Sequence, residues 1–152
     1  MAQDVIDISN IKINNQVVIS DSKSAFLSNL GQPQSTETIE YETEELTVDV
    51  LTYNQSTFSF ASNDMIRFSI RDNSISITLN SISFTVGDNI SLLQNEFSNS
   101  YNSISDTYNN VYVFILHLKN TKNGQSYKLD DWIAIGINQT TGVINSIHYV
   151  RP

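Results

Sequence analysis

Apolar and polar residues alternate along much of the chain with a period of two. Ile66, Phe68 and Ile70 alternate with Arg67, Ser69 and Arg71. Past the turn at Asp72-Asn73, Ile75, Ile77 and Leu79 alternate with Ser74, Ser76 and Thr78, and Ile82, Phe84 and Val86 follow against Ser83 and Thr85. Successive side chains of a strand point to opposite faces, so these runs predict an antiparallel meander with one dry and one wet side. Further strands are predicted at Ile11–Ile13, Val17–Ile19, Leu46–Tyr53, Thr57–Ala61, Val111–Lys119, Ser126–Ile137 and Val143–Val150. Turn dipeptides such as Asn14-Asn15, Asn54-Gln55 and Asn123-Gly124 separate them. Val111 to Leu118 is apolar on both faces, with Tyr112, Phe114, Leu116 and Leu118 on one side and Val111, Val113 and Ile115 on the other. It reads as a central strand, and as the place where an exposed apolar sheet face would lie.

Two segments break the alternation in favour of helix. Ser20, Asp21 or Ser22 caps a turn carrying Ala25, Phe26, Leu27 and Leu30, and Gly31 and Pro33 stop it. Asp88 or Asn89 caps a second turn, in which Ile90, Leu93 and Phe97 share a face. A shift of about 67 residues, an ordinary repeat length, lays Val17 on Phe84, Ile19 on Val86, Asp21 on Asp88 and Leu30 on Phe97. The expected fold is therefore α+β: two tandem units, 1–73 and 74–152, each a short helix packed on an antiparallel sheet, within one compact domain. A single β-sandwich with two short helices is the alternative.

Leu30-Gly31-Gln32-Pro33, after a capped helix and before an acidic segment and strands, resembles the repeat of the β-lactamase inhibitor protein and of the small outer-membrane assembly lipoproteins. The resemblance implies an exported bacterial protein that binds another protein with its sheet, without catalysis. It carries no binding residue over.

Charge and composition narrow the classes. The formal charge of -8 repels nucleic acid. No apolar run approaches the ~20 residues of a bilayer-spanning helix. Without cysteine, thiol catalysis, disulfides and thiolate metal sites are excluded. Ala2-Gln3 matches what a small-residue cleavage site leaves, with Met1 then supplied by recombinant expression, which points to the periplasm or the medium. A native start, and with it the cytoplasm, is the other reading.

The chemistry on offer is sparse. His117 lies on a face with Val113 and Ile115, and His148 on one with Ile144 and Val150, but no Gly-x-Ser-x-Gly element accompanies them. No compact spacing supports a metal, and none points to a cofactor. Asp130 and Asp131 are neighbours on a strand and face opposite ways, so they cannot act as a hydrolase pair on one bond. Lys119, Lys122 and Lys128 surround a hairpin tip and serve solubility.

Recognition has better candidates. Glu40, Glu42, Glu44 and Glu45 belong to an acidic stretch, from Ser24 to Ile66, without Lys or Arg; it is read either as a partner surface or as a charge-protected edge strand. Tyr41, Tyr53, Tyr101, Tyr108, Tyr112 and Tyr149 offer amphipathic anchors, some of them core. Trp132 shares a face with the small residues Ala134 and Gly136, which leave room for its own indole as core filling, the more ordinary place for a Trp, or for a partner's side chain. The functional expectation is a non-enzymatic protein-binding or structural module, with Glu40, Glu42, Glu44, Glu45, Tyr53, Tyr112 and Trp132 as its candidate contacts. The alternatives are a small-ligand carrier or enzyme with a pocket near the histidines, and a cytosolic acidic inhibitor of a basic toxin.

Overall fold

A computed structural model describes residues 2–108 and 111–152; outside it lie Met1, residues 109–110 and the side chains of residues 106–108 and 111, the expected anchor Tyr108 and the strand residue Val111 among them. The chain runs β1 (Val5–Asp7), β2 (Ile11–Ile13), β3 (Val17–Val18), α1 (Lys23–Leu30), β4 (Ser35–Tyr41), β5 (Leu46–Tyr53), β6 (Ser56–Ala61) and β7 (Asp64–Ile70). It continues through β8 (Ile77–Leu79), β9 (Ile82–Phe84), α2 (Ser98–Asn102), β10 (Ser105–Tyr108), β11 (Val111–Lys122), β12 (Gln125–Ile137) and β13 (Ile144–Val150).

Two unequal sheets result. The large one has nine strands in the order β1-β11-β12-β13-β7-β6-β5-β4, with β10 also pairing β11. The small one has the order β3-β2-β8-β9. Every pairing is antiparallel except β1 with β11, which is parallel, so the large sheet is mixed.

One core lies between the sheets. From the large sheet come Phe114, Leu116 and Leu118 of β11, Ile133 and Ile135 of β12, Ile147 and Tyr149 of β13, Phe68, Phe58, Phe60 and Leu51. Ile11, Ile13, Ile77, Leu79 and Phe84 meet them from the small sheet. Helix α1 begins at Ser22, whose hydroxyl accepts from the Ala25 N–H, and ends at Gly31, whose φ of 82° suits a residue without a side chain. It lowers Phe26 onto Phe58 and Phe60, with ring centroids 4.9 and 5.2 Å away. The second helical segment opens as a 3-10 turn, Ile90–Leu93, capped by the Asn89 side chain, and buries Ile90, Leu93 and Phe97.

The expected α+β arrangement of two tandem helix-on-sheet units is overturned. The protein is mostly β, and both sheets draw strands from both parts of the chain: β2 pairs β8 in the small sheet, and β13 pairs β7 and β1 pairs β11 in the large one. The two sheets enclose one core, nine strands against four, and the large sheet is mixed. The meander expected from Ile66 to Val86 divides at Arg71–Ser76. β7 stays in the large sheet while β8 and β9 join the small one, because each hairpin has one apolar face and the two faces bury each other.

Candidate functional site

The outer face of the large sheet is built by the residues that alternate with the core. Across β6, β7, β13, β12 and β11, Thr57, Ser69, His148, Ala134 and Ile115 stand in one cross-strand row. In the rows beside it, Val150 lies opposite Trp132 and Trp132 opposite His117, while Ser146 lies opposite Gly136 and Gly136 opposite Val113. Helix α1, helix α2 and the small sheet send their apolar side chains to the other face of the large sheet. Trp132, Ile115, Val113, Ala134 and Val150 are half-buried on the face left over.

Register irregularities decide which histidine neighbours share this face. Between Gly136 and Ile137 the pairing of β12 with β13 shifts, so Ile144 turns inward and is buried while Ser146 faces out. The His148 Nε2 meets Ser146 Oγ at 3.0 Å. Burial pulls the His148 imidazole below its ordinary value, and the charge of Arg71 adds to this. His117 Nε2 meets Gln3 Oε1 at 2.7 Å. Among the described residues neither imidazole is bonded to a carboxylate, the partner that holds a catalytic histidine in place.

A hollow of about 240 Å³ opens on this face, lined by Thr57, Arg67, Ser69, Arg71, His148, Val150 and Arg151. A larger one, about 530 Å³, lies at the rim between the sheets, where Ile8, Ile19, Met65 and Leu129 meet Asp64, Lys122 and Arg151. Tyr149 rises beside it: its hydroxyl donates to Asp131 Oδ2 at 2.5 Å, and Arg151 Nε lies 3.5 Å from the same oxygen. Burial first, then the Asp131 carboxylate, push the Tyr149 phenol well above its usual range. Asp130 faces solvent while Asp131 is buried, as adjacent strand residues must.

No family model, curated protein or solved structure matches this chain. Its site must be argued from geometry. Trp132 is the candidate that the fold sets on the open face. Tyr53 lies in the core, with its hydroxyl donating to the Gly31 carbonyl at 2.7 Å, and Tyr112 packs partly buried against the core. Glu40 is on β4, the far edge of the large sheet, and Glu42, Glu44 and Glu45 form the turn into β5; all four are exposed. They are far along the sheet from Trp132, with β13, β7, β6 and β5 between. Among the described residues, no three His, Asp or Glu side chains gather as a metal-ligand set, and no helix is long and apolar enough to cross a membrane.

Sequence reasoning missed Arg67, Arg71 and Ser69 as site residues. The signal was present: they alternate along one predicted strand and therefore share a face. What the sequence lacked was the neighbour, since only the pairing of β7 with β13 brings His148 beside them.

Proposed function

We propose that this chain is a non-enzymatic binding module that engages a partner protein across the open face of its large sheet, centred on Trp132. The observation that carries the reading is the half-buried apolar group of Trp132, Ile115, Val113 and Val150 on a face that, among the described residues, neither helix nor the small sheet covers. A tryptophan among small and branched residues is the composition of an interface centre. Arg67 and Arg71 border the group, so the complementary partner surface presents acidic side chains beside apolar ones. Export from a bacterial cell belongs to the same proposal and is supported by the Leu30–Pro33 resemblance alone.

A photo-reactive residue placed at Ile115 tests the reading against one placed at Ser83, on the outer side of the small sheet. Adducts with one protein from position 115 and not from 83, lost on Trp132→Ala with the melting temperature kept, are expected. Equal adducts from both positions, or none from 115, would sink it.

A further inference from the structure

We infer that the hollow beside His148 is a binding site for a small oxyanion, a phosphate or carboxylate group held between Arg67 and Arg71. The site borders the apolar docking group but takes its anion whether or not a protein docks on the face.

The distribution of charge makes the first case. The chain has only three arginines, and all three line this one hollow, in a protein whose formal charge is -8. No aspartate or glutamate lines it. Arg151 already has Asp131 at 3.5 Å; Arg67 and Arg71 make no ion pair among the described residues. Two guanidinium groups brought to one cavity without a counter-charge repel each other, and an anion between them removes that cost.

Geometry makes the second. Arg67 and Ser69 alternate on β7 and Arg71 follows one residue past its end, so the two arginines flank Ser69 with Cα atoms about 13 Å apart at ordinary strand rise. Both arginines line the hollow together with Ser69. Ser69 Oγ, beneath the hollow, is buried and has no hydrogen-bond partner among the described residues, so an acceptor drawn close to it would satisfy it. Thr57 stands directly opposite Ser69 on β6, and His148 directly opposite on β13. Two guanidiniums, two hydroxyls and an imidazole thus converge, a donor set suited to oxygen anions. At about 240 Å³ the hollow is smaller than the ~300 Å³ at which sites for drug-sized ligands begin, and it fits a single anionic group.

The charged groups facing His148 are Arg67 from β7, Arg71 one residue past its end and Arg151 past the end of β13, while β12 presents Ala134. An anion seated among them favours the protonated imidazole, so binding raises the His148 pKa and tightens as pH falls.

The test follows the His148 ring proton by NMR at low salt while inorganic phosphate, or acetate, is added, with His117 as internal control. The expected result is a saturable shift at His148 and not at His117, with an upward move of the His148 pKa. Arg67→Gln with Arg71→Gln should weaken it about tenfold or more, since hydrogen bonds to charged groups are lost, and Lys12→Gln should leave it unchanged. Both arginines are exposed, so the double variant keeps its fold; Ser69→Ala, weakening binding more mildly, gives a second reading. Saturation by phosphate alone places a tetrahedral dianion there, and saturation by acetate as well places a carboxylate; either carries the proposal. No saturation by the order of 100 mM, far above millimolar affinity, or equal affinity in the double variant, overturns it. Loss of this response with the Ile115 adducts intact would remove the anion site and leave the protein-binding reading standing.

Discussion

A Cβ on Gly136 would stand 2.7 Å from Ser146 Oγ, the hydroxyl that meets the His148 ring. Gly136 is thus small because its cross-strand neighbour leans over it, and that lean fixes the imidazole. Gly136→Ala should turn the Ser146 hydroxyl aside at little cost in stability, because only the rotatable end of that side chain stands in the way, and change the His148 ring shift. Denaturant melts paired with NMR check both; an unmoved His148 signal would show that Ser146 does not position it.

His148 should make stability depend on pH. Its folded value lies below the ordinary 6.5, so the unfolded chain takes up the proton first. Stability from this group is complete above pH 6.5 and falls as the pH drops from there through the folded value. In His148→Gln the decline below pH 6.5 should flatten, as read from unfolding midpoints across the pH range.

Phe26 is the single aromatic that α1 contributes to the core, and it touches Tyr53, Phe58 and Phe60. Phe26→Ala should cost about 3–5 kcal/mol. A loss below about 1 kcal/mol would show that α1 is not anchored there.

The acidic edge makes a different prediction. Among the described residues β4 pairs only with β5, which leaves its outer backbone as the edge of the sheet. Glu37 and Glu40 on β4, with Glu42, Glu44 and Glu45 beyond it, surround that edge with negative charge. Changing Glu37, Glu40, Glu42 and Glu45 together to Gln should promote self-association, visible by light scattering at rising concentration; a variant that stays as monodisperse as wild type would count against edge protection.

Much of the strand content was legible because one-sided burial writes a period of two into the sequence. Phe58, Phe60, Phe68 and Phe114 all sit on the side their alternation implies, and Ser22 and Gly31 bound α1 as their chemistry requires. Alternation gives a face, though, and not a neighbour. Ile77 and Leu79 look the same in sequence whether their strand continues the large sheet or crosses to the small one. The irregularity at Gly136–Ile137 reverses parity locally, which is why Ile144 and His148 do not share a face as two residues four apart on a regular strand would. The site was harder still, because Arg67, Ser69 and His148 come from distant strands.

The parallel pairing of β1 with β11 sets Val5 beside His117, and Asp4 strengthens it: its carbonyl accepts from the His117 N–H at 3.0 Å, and its side chain accepts from the Ser100 N–H at 3.0 Å. Such a pairing closes a loop spanning most of the chain, an entropic cost that local hairpins such as β11–β12 do not bear. The N-terminal strand therefore docks late in folding, onto an edge already formed, and until it does, β11 presents an open flank on which a second molecule can lay the same strand.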